Sequence, residues 1–435
     1  MVIAMERYYI RNMKILDGTE NMVPVEGKAI LVESGRIASI LPEAEIPAGS
    51  ETVDLHGGYL LPGLINLHIH TPVSGKPSKK KLNYAALAKL LKLAPVRAVL
   101  RSLSGKNVEN QLLSGTTTVR CVGGLFDFDS YNRDRINAGK QRGPRMLVSN
   151  YAVSVPGGHM TGSVALPVSS PEEARKMVND LAATKPDLIK LMITGGVLDA
   201  NVPGEPGILK MPKEIAVAAA DEAHRLGFRV AAHVEGTEGM EVALAAGVDT
   251  FEHGGKPTPE LIAGMKQSGA ALIATLSPAV PFALLDSGYM GLTETDLLNG
   301  KALFRYMIEC IGECLKAGVP VGLGTDTGCP FITHYDTWRE LWYYCRYLNV
   351  TPTFALHSAT ALNARIAGID NETGTVEVGK SADFVVVKDD PTASLSALET
   401  LRNPTAVFFR GDPIRDPKPK KFSFVEEQLD RILKV

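Results

Sequence analysis

The chain has 435 residues, a length that suits one large domain with a smaller accessory domain rather than a single small one. Its formal charge of -2, with 45% hydrophobic and 22% charged residues, gives no sign of a nucleic-acid or membrane partner. No apolar stretch approaches the ~20 residues that span a bilayer, and no secretory signal is visible. Five scattered cysteines, an odd number, indicate a reducing compartment, so we expect a cytoplasmic protein.

Both ends of the chain show short strand-like segments separated by Gly, Pro and acidic turns. The expected strands are 8–15, 29–32, 37–40 and 52–55 near the start, and 375–378, 384–387 and 406–409 near the end. Neither end alone has enough strands for a stable sheet, so we predict one small β-sandwich built from both ends. This prediction assigns 1–62 and 371–435 to the β-sandwich and makes 63–370 an insertion whose own ends meet.

The middle of the chain alternates apolar strand-like runs with segments of helical periodicity, such as 171–183, 212–226 and 259–268. The expected strands are 63–70, 116–122, 146–153, 188–194, 229–234, 250–253, 271–276 and 320–324. Eight such units in roughly 300 residues predict a parallel (β/α)8 TIM barrel with buried strands. Two long connections, 277–300 and 328–337, are expected to be loops beside the site.

Histidines, a lysine and an aspartate stand at or near the C-terminal ends of these strands, where such barrels hold their catalytic groups. They are His68, His70, Lys190, His233, His253 and Asp326. His68 and His70 lie two residues apart in one strand, so both side chains point to the same side. Four imidazoles at one end of a barrel are hard to explain as packing. Imidazoles suit Zn, Mn, Fe, Co or Ni, and carboxylates add oxygen ligands.

Lys190 is the unusual member of this set, because an ammonium group among metal ions is electrostatically unfavourable. Burial and neighbouring cations favour the neutral amine, a nucleophile that can take up CO2 and become an anionic, bridging carbamate. Alternatively, the ammonium group pairs with an acidic residue such as Asp187 or Asp326. Spacing alone leaves both interpretations open.

Several motifs resemble the amidohydrolase superfamily, in particular its imidazolonepropionase-like branch with metal-dependent prolidases and Xaa-Arg dipeptidases. They are PGLINLHIH (62–70), DLIKLMITGG (187–196), AAHVEG (231–236), GVDTFEHG (247–254), GLGTDTG (322–328) and TGTVEVGKSADF (373–384). The resemblance implies two divalent ions, with zinc preferred. The histidines of the first strand would bind the buried ion together with Asp326, and His233 and His253 the exposed one. A carboxylated Lys190 would bridge the two ions.

The resemblance also implies residues that contact substrate. His159, in PGGH (156–159), matches the histidine that meets the substrate carbonyl, and Arg120, whose role in the family we leave unassigned, is also taken as a candidate for substrate binding. Glu235 stands where dipeptidases of this branch often carry Tyr. A pocket-facing Glu235 would disfavour a free substrate carboxylate, whereas the alternative is a cap on the helix that begins near 237. His334, in the eighth loop, is a further candidate for substrate contact.

These residues imply hydrolysis of an amide or other C–N bond of a small molecule, such as a dipeptide, an N-acyl amino acid or a lactam. A metal-bridging hydroxide would attack, and Asp326 would pass its proton to the leaving nitrogen. One alternative is a deaminase or cyclic amide hydrolase that acts on a heterocycle with the same site. Another is a scaffold without metals, against which the complete ligand set argues. The sequence leaves a homo-oligomer open.

Overall fold

The computed structural model describes residues 6–78, 90–200, 202–285 and 287–434. The strands are β1 (Arg7–Ile15), β2 (Lys28–Glu33), β3 (Arg36–Pro42), β4 (Thr52–Pro62), β5 (Leu64–Ile69), β6 (Thr116–Cys121), β7 (Arg145–Val148), β8 (Ala152–Ser154), β9 (Ala165–Pro167), β10 (Leu188–Met192), β11 (Arg229–Val234), β12 (Thr250–His253), β13 (Ala271–Ala274), β14 (Val321–Leu323), β15 (Phe384–Val387), β16 (Ala406–Phe409) and β17 (Asp412–Arg415). The helices are α1 (Ala94–Leu113), α2 (Phe128–Asn137), α3 (Pro171–Ala182), α4 (Lys213–Arg225), α5 (Thr237–Ala245), α6 (Pro259–Ser268), α7 (Ala279–Leu284), α8 (Glu294–Ala317), α9 (Thr337–Leu348), α10 (Pro352–His357), α11 (Asn363–Ala367) and α12 (Ser423–Ile432).

The chain divides into two compact units. One comprises Met1–Asn66, Glu109–Val119 and Tyr335–Lys420, and the other Leu67–Val108, Arg120–His334 and Lys421–Val435. The domain boundaries expected from the sequence, at 62/63 and 370/371, stay predictions. Among the residues that the structure describes, no helix is long and apolar enough to cross a membrane.

The first unit contains the predicted domain built from both chain ends. Its seven-stranded sheet has the order β17-β16-β15-β4-β1-β2-β3, so β4 joins the N-terminal strands to the C-terminal ones. Tyr8 and Ile10 from one end share a buried core with Phe384 and Phe408 from the other. The prediction of a strand at 375–378 is wrong, because this segment is irregular. The unpredicted β17 forms the edge of the sheet instead.

The eight expected barrel strands occur as β5, β6, β7 with β8, and β10 to β14. The third expected strand is divided, since Asn150 between β7 and β8 has a left-handed backbone with φ +57°. Asn adopts this conformation more readily than most residues. Consequently β7 belongs to the sheet β5-β6-β7, whereas β8 belongs to the sheet β14-β13-β12-β11-β10-β8-β9.

Hydrogen bonds between the first and last barrel strands close the ring. The His70 N–H donates to the Thr327 carbonyl at 2.7 Å, and the Asp326 N–H donates to the His68 carbonyl at 2.9 Å. The predicted fold class, a (β/α)8 barrel with a small domain built from both chain ends, is therefore confirmed. Of the two expected loops, 277–300 is largely helical. It contains α7 and the start of α8, which is capped reciprocally by Thr293 and Asp296.

Candidate metal centre

The predicted ligands meet at the C-terminal ends of the barrel strands. Lys190 lies in β10, His233 in β11 and His253 at the end of β12, while Asp326 follows β14. The ring centre of His253 lies 4.6 Å from that of His68 and 4.8 Å from that of His233. Parallel strands that close a barrel present their C-terminal ends on one rim, which explains why residues far apart in sequence converge here.

Three of these residues, His68, His70 and Asp326, form a cluster that we call the first triad. Their ligand atoms all lie within 4.8 Å of one another. Asp326 Oδ1 is 3.1 Å from His70 Nε2 and 3.5 Å from His68 Nε2. His70 Nδ1 donates to the Gly123 carbonyl at 2.9 Å, and the Cys329 thiol donates to Asp326 Oδ2 at 3.3 Å. Two imidazole nitrogens and a carboxylate oxygen thus converge as a divalent transition-metal ion requires.

A buried carboxylate, Glu252, orients His68 in the first triad. His68 Nδ1 donates to Glu252 Oε2 at 2.7 Å, and the Arg120 guanidinium donates to both Glu252 oxygens at 2.8 and 2.9 Å. Burial raises the pKa of Glu252, but Arg120 and His68 outweigh burial and hold that pKa well below its ordinary value. A carboxylate behind a ligating histidine fixes the tautomer and makes the imidazole a better ligand.

His233, Glu235 and His253 form a second cluster, the second triad, whose ligand atoms also lie within 4.8 Å of one another. His253 Nδ1 hydrogen-bonds the Thr275 hydroxyl at 2.7 Å, and His233 Nε2 donates to the Gly195 carbonyl at 3.3 Å. These contacts leave His253 Nε2 and His233 Nδ1 for a ligand. Burial is the main cause that lowers the pKa of both histidines well below the ordinary value, so both imidazoles are neutral.

Two candidate ligands have left-handed backbones, His253 with φ +73° and Asp326 with φ +55°. Such conformations cost on the order of 1–3 kcal/mol each and are concentrated at functional sites. In a regular strand, Glu252 and His253 would point to opposite faces of the sheet. Instead, Glu252 contacts His68 while His253 contributes to the second triad. The backbone at His253 therefore lets consecutive residues serve both triads.

Lys190 is buried, with 1% of its surface exposed. Among the residues that the structure describes, its Nζ has no hydrogen-bond partner. Burial lowers the pKa of this amine to about 8. Asp187, one of the two alternative partners, instead contacts Arg133 at 2.8 Å, and Asp326 belongs to the first triad. Lys190 thus has a partly deprotonated amine that lacks a hydrogen-bond partner among the described residues and lies beside both triads. These properties suit a covalent modification that would add oxygen ligands to the amine.

His159 lies beside the second triad. Its ring stacks on that of His233, with centroids 4.2 Å apart and an interplanar angle of 8°. His159 Nδ1 donates to Asp199, whose carboxylate also accepts the Gly196 N–H at 3.0 Å. This contact orients the ring and leaves Nε2 as the nitrogen available to a substrate atom, and substrate contact by His159 stays a prediction.

Two residues expected to contact substrate have other partners. The buried guanidinium of Arg120 is held by Glu252, by the Leu67 carbonyl at 2.7 Å and by the Thr250 hydroxyl at 3.0 Å. The structure therefore supports a positioning role for Arg120 instead of substrate contact. His334 is buried, its Nε2 donates to the Val73 carbonyl at 2.8 Å, and burial lowers its pKa to about 4. This placement favours anchoring of the loop after β14.

Sequence analysis missed Glu252, Asp199 and Thr275. Glu252 stands within the motif GVDTFEHG, but in a regular strand it would lie on the face opposite His253, so nothing in the sequence marks it as part of the site. Asp199 lies in a short 3-10 turn, Val197–Asp199, and Thr275 directly after β13, where no periodic pattern marks either.

Comparison with known proteins identifies the class. A profile of the amidohydrolase family matches residues 59–414. The chain therefore belongs to the amidohydrolase family and is a hydrolase that acts on carbon–nitrogen bonds. Members of this family are typically metal-dependent, and the two triads are the candidate ligands here.

Individual relatives cover most of the chain. Ochratoxinase from Aspergillus niger is 26% identical over 424 residues, which cover 91% of this chain and 84% of that protein. Imidazolonepropionase from Symbiobacterium thermophilum is 27% identical over 392 residues, which cover 83% of this chain and 84% of that protein. A solved structure from Bifidobacterium longum, described as a candidate prolidase, is 34% identical, with a TM-score of 0.86 over 99% of this chain and 100% of that chain.

Proposed function

We propose that this protein is a binuclear amidohydrolase, with zinc as the preferred metal, that cleaves an amide or other C–N bond of a small molecule. The observation that carries the proposal is the orphaned Nζ of Lys190 beside two triads of ligand atoms. The charge of Lys190 acts on histidines of both triads, so an anionic group on this amine would serve both.

Carboxylation of Lys190 would create that group. The neutral amine attacks CO2, an N–C bond forms, and the amine proton leaves to solvent, which converts a potential cation into a carbamate anion. The pKa of about 8 leaves a useful fraction of the amine neutral near pH 7. The two oxygens of a carbamate would then allow Lys190 to contribute to both metal sites.

When bound, two divalent ions supply Lewis acidity and activate water as a nucleophile at neutral pH. Asp326 accepts the proton of the attacking water and delivers it to the leaving nitrogen. Asp199 holds Nδ1 of His159, which leaves Nε2 as the atom that would contact the substrate; Nε2 can donate to a carbonyl oxygen only when the ring carries both protons. Glu252 and Arg120 keep His68 in its ligating orientation.

Dipeptides, N-acyl amino acids and lactams are the proposed substrate class, supported by relatives named as a candidate prolidase, an ochratoxinase and an imidazolonepropionase. The test is a hydrolysis screen with protein freed of metal by a chelator and reloaded with zinc or manganese. We expect cleavage of at least one of these classes only in the reloaded protein. Equal turnover with and without metal would overturn the proposal. Release of ammonia from an aminated heterocycle, without amide cleavage, would identify a deaminase instead.

A further inference from the structure

Glu235 is the member of the second triad to which the amidohydrolase resemblance assigns no metal ion. Only 7% of its surface is exposed, and among the described residues its Oε2 atom lacks a hydrogen-bond partner. The alternative role as a helix cap is absent, because α5 has Gly236 at its N-cap and no side-chain capping bond. A carboxylate oxygen buried without a partner is costly, so this oxygen needs a cation, a hydrogen-bond donor or a proton.

Two hydrogen bonds fix Glu235, one at its backbone and one at its carboxylate. The Glu235 N–H donates to the Thr194 hydroxyl at 3.1 Å, and the Val197 N–H donates to the carboxylate. These bonds leave Oε2 as the oxygen without a partner, beside the nitrogens of His233 and His253.

The distances fit a metal ion. Ligand atoms of the second triad lie within 4.8 Å of one another. Bonds of about 2.0–2.2 Å to a tetrahedral ion require ligand atoms roughly 3.3–3.6 Å apart, so the ligand atoms need to approach one another by at most about 1.5 Å to complete the site. The first triad meets the same limit.

We infer that Glu235 is a direct ligand of the ion held by His233 and His253, an inference that rests on the proposed binuclear function. The two triads then have the same composition, two imidazoles and one carboxylate. Together with Asp326 and the proposed carbamate, Glu235 would be a third anionic ligand of the two ions and would offset more of their positive charge in a buried site. Glu235 thus sets the affinity and the charge of the second metal rather than the charge of the substrate.

The test is metal binding, measured without substrate. Metal-free wild type, Glu235→Gln, Glu235→Ala and Glu235→Asp are titrated with zinc by calorimetry, and cobalt-loaded samples are compared by visible absorption. Loss of an outer-shell partner costs about 10–100-fold in affinity, so loss of a direct ligand should exceed ~100-fold at one of two sites. The Asp variant should recover part of that loss, and the cobalt absorption should change. Glu214→Gln, at an exposed position in α4, removes the same charge outside both triads and should bind as wild type.

Thermal unfolding of the metal-free proteins separates a ligand from a structural residue. We expect the melting temperature of metal-free Glu235→Gln to equal or exceed that of wild type, because the change removes a buried carboxylate oxygen that lacks a partner, and the increase on adding zinc to be smaller. Two zinc sites of unchanged affinity in Glu235→Gln would overturn the inference, and an altered preference for charged substrates would then identify Glu235 as a substrate filter. Fewer than two sites in wild type would overturn the binuclear function itself.

Discussion

The two triads use the same ligand types but are supported differently. In the first triad, His68 Nδ1 hydrogen-bonds Glu252, whose charge is paired with Arg120. In the second triad, His253 and His233 hydrogen-bond neutral groups, the Thr275 hydroxyl and the Gly195 carbonyl. A carboxylate partner raises the basicity of a ligating imidazole more than a hydroxyl does. We therefore expect the first triad to hold its metal more tightly, and the second, beside His159, to exchange its metal more readily.

The largest effect is expected from removing Lys190, whose proposed carbamate serves both triads. Lys190→Ala should lose activity to background, because both metals lose the proposed bridging carbamate. Short carboxylic acids such as acetate or propionate should restore part of the activity by supplying two oxygens in the vacated space. Metal content and turnover are measured with and without the acid. Retention of near wild-type activity by Lys190→Ala would contradict a bridging role.

Single histidine substitutions compare the triads directly. His68→Ala and His253→Ala should each bind one zinc per chain fewer than wild type, with far-ultraviolet circular dichroism unchanged. Activity should fall to background in both, since both metals act on the same bond. Competition with a chelator should strip zinc from His68→Ala, which retains the second triad, sooner than from His253→Ala. The opposite order would reverse the comparison.

Asp326→Asn tests the proton-handling part of the first triad. The amide oxygen can still coordinate but cannot accept a proton, so kcat should fall about 10²–10⁴-fold at saturating metal, with smaller changes in KM. Zinc content of the purified variant is the control. A decrease of less than tenfold would show that another group moves the proton.

Substitution of the residues that hydrogen-bond the candidate histidine ligands should change the affinity for metal without removing a ligand. Glu252→Gln should weaken zinc binding at the first triad by about 10–100-fold. It should also lower the free energy of unfolding by about 3–5 kcal/mol, since Arg120 loses its buried charge partner. Thr275→Val should weaken the second site less and lower stability by about 1 kcal/mol. Equal effects of the two changes on metal affinity would show that the charge behind His68 is unimportant.

Substitution of His334, which belongs to neither triad, should have the smallest effect on metal binding and should change the pH dependence of stability instead. Burial lowers its pKa from 6.5 to about 4, so the folded state keeps it neutral while the unfolded chain takes up a proton below pH 6.5. The free energy of unfolding of the metal-free protein should therefore fall as pH decreases from about 6.5 to 4. His334→Gln should reduce that slope by up to about 1.4 kcal/mol per pH unit, measured by urea unfolding. Parallel slopes for the two proteins would contradict this assignment.

Much of the fold was predictable because its signals are local. The alternation of apolar strands and helices indicated the barrel, and the shortage of strands at each chain end required a shared domain. Failures occurred where a local signal was misleading. The segment 375–378 resembles a strand but is irregular, and the segment 277–300 contains the capped start of α8. A left-handed Asn150 divided the third strand, which strand periodicity does not reveal.

By itself, the sequence predicted which residues are candidate ligands and at which strand ends they lie, because two-residue alternation and strand boundaries depend on neighbouring residues. Only the tertiary structure decided how the ligands are supported. Glu252 meets His68 across 184 residues, and the backbone at His253 departs from strand geometry so that both residues serve the site. These features depend on closure of the barrel, which brings distant strands together and buries Lys190 and Glu235 where a charge needs a partner.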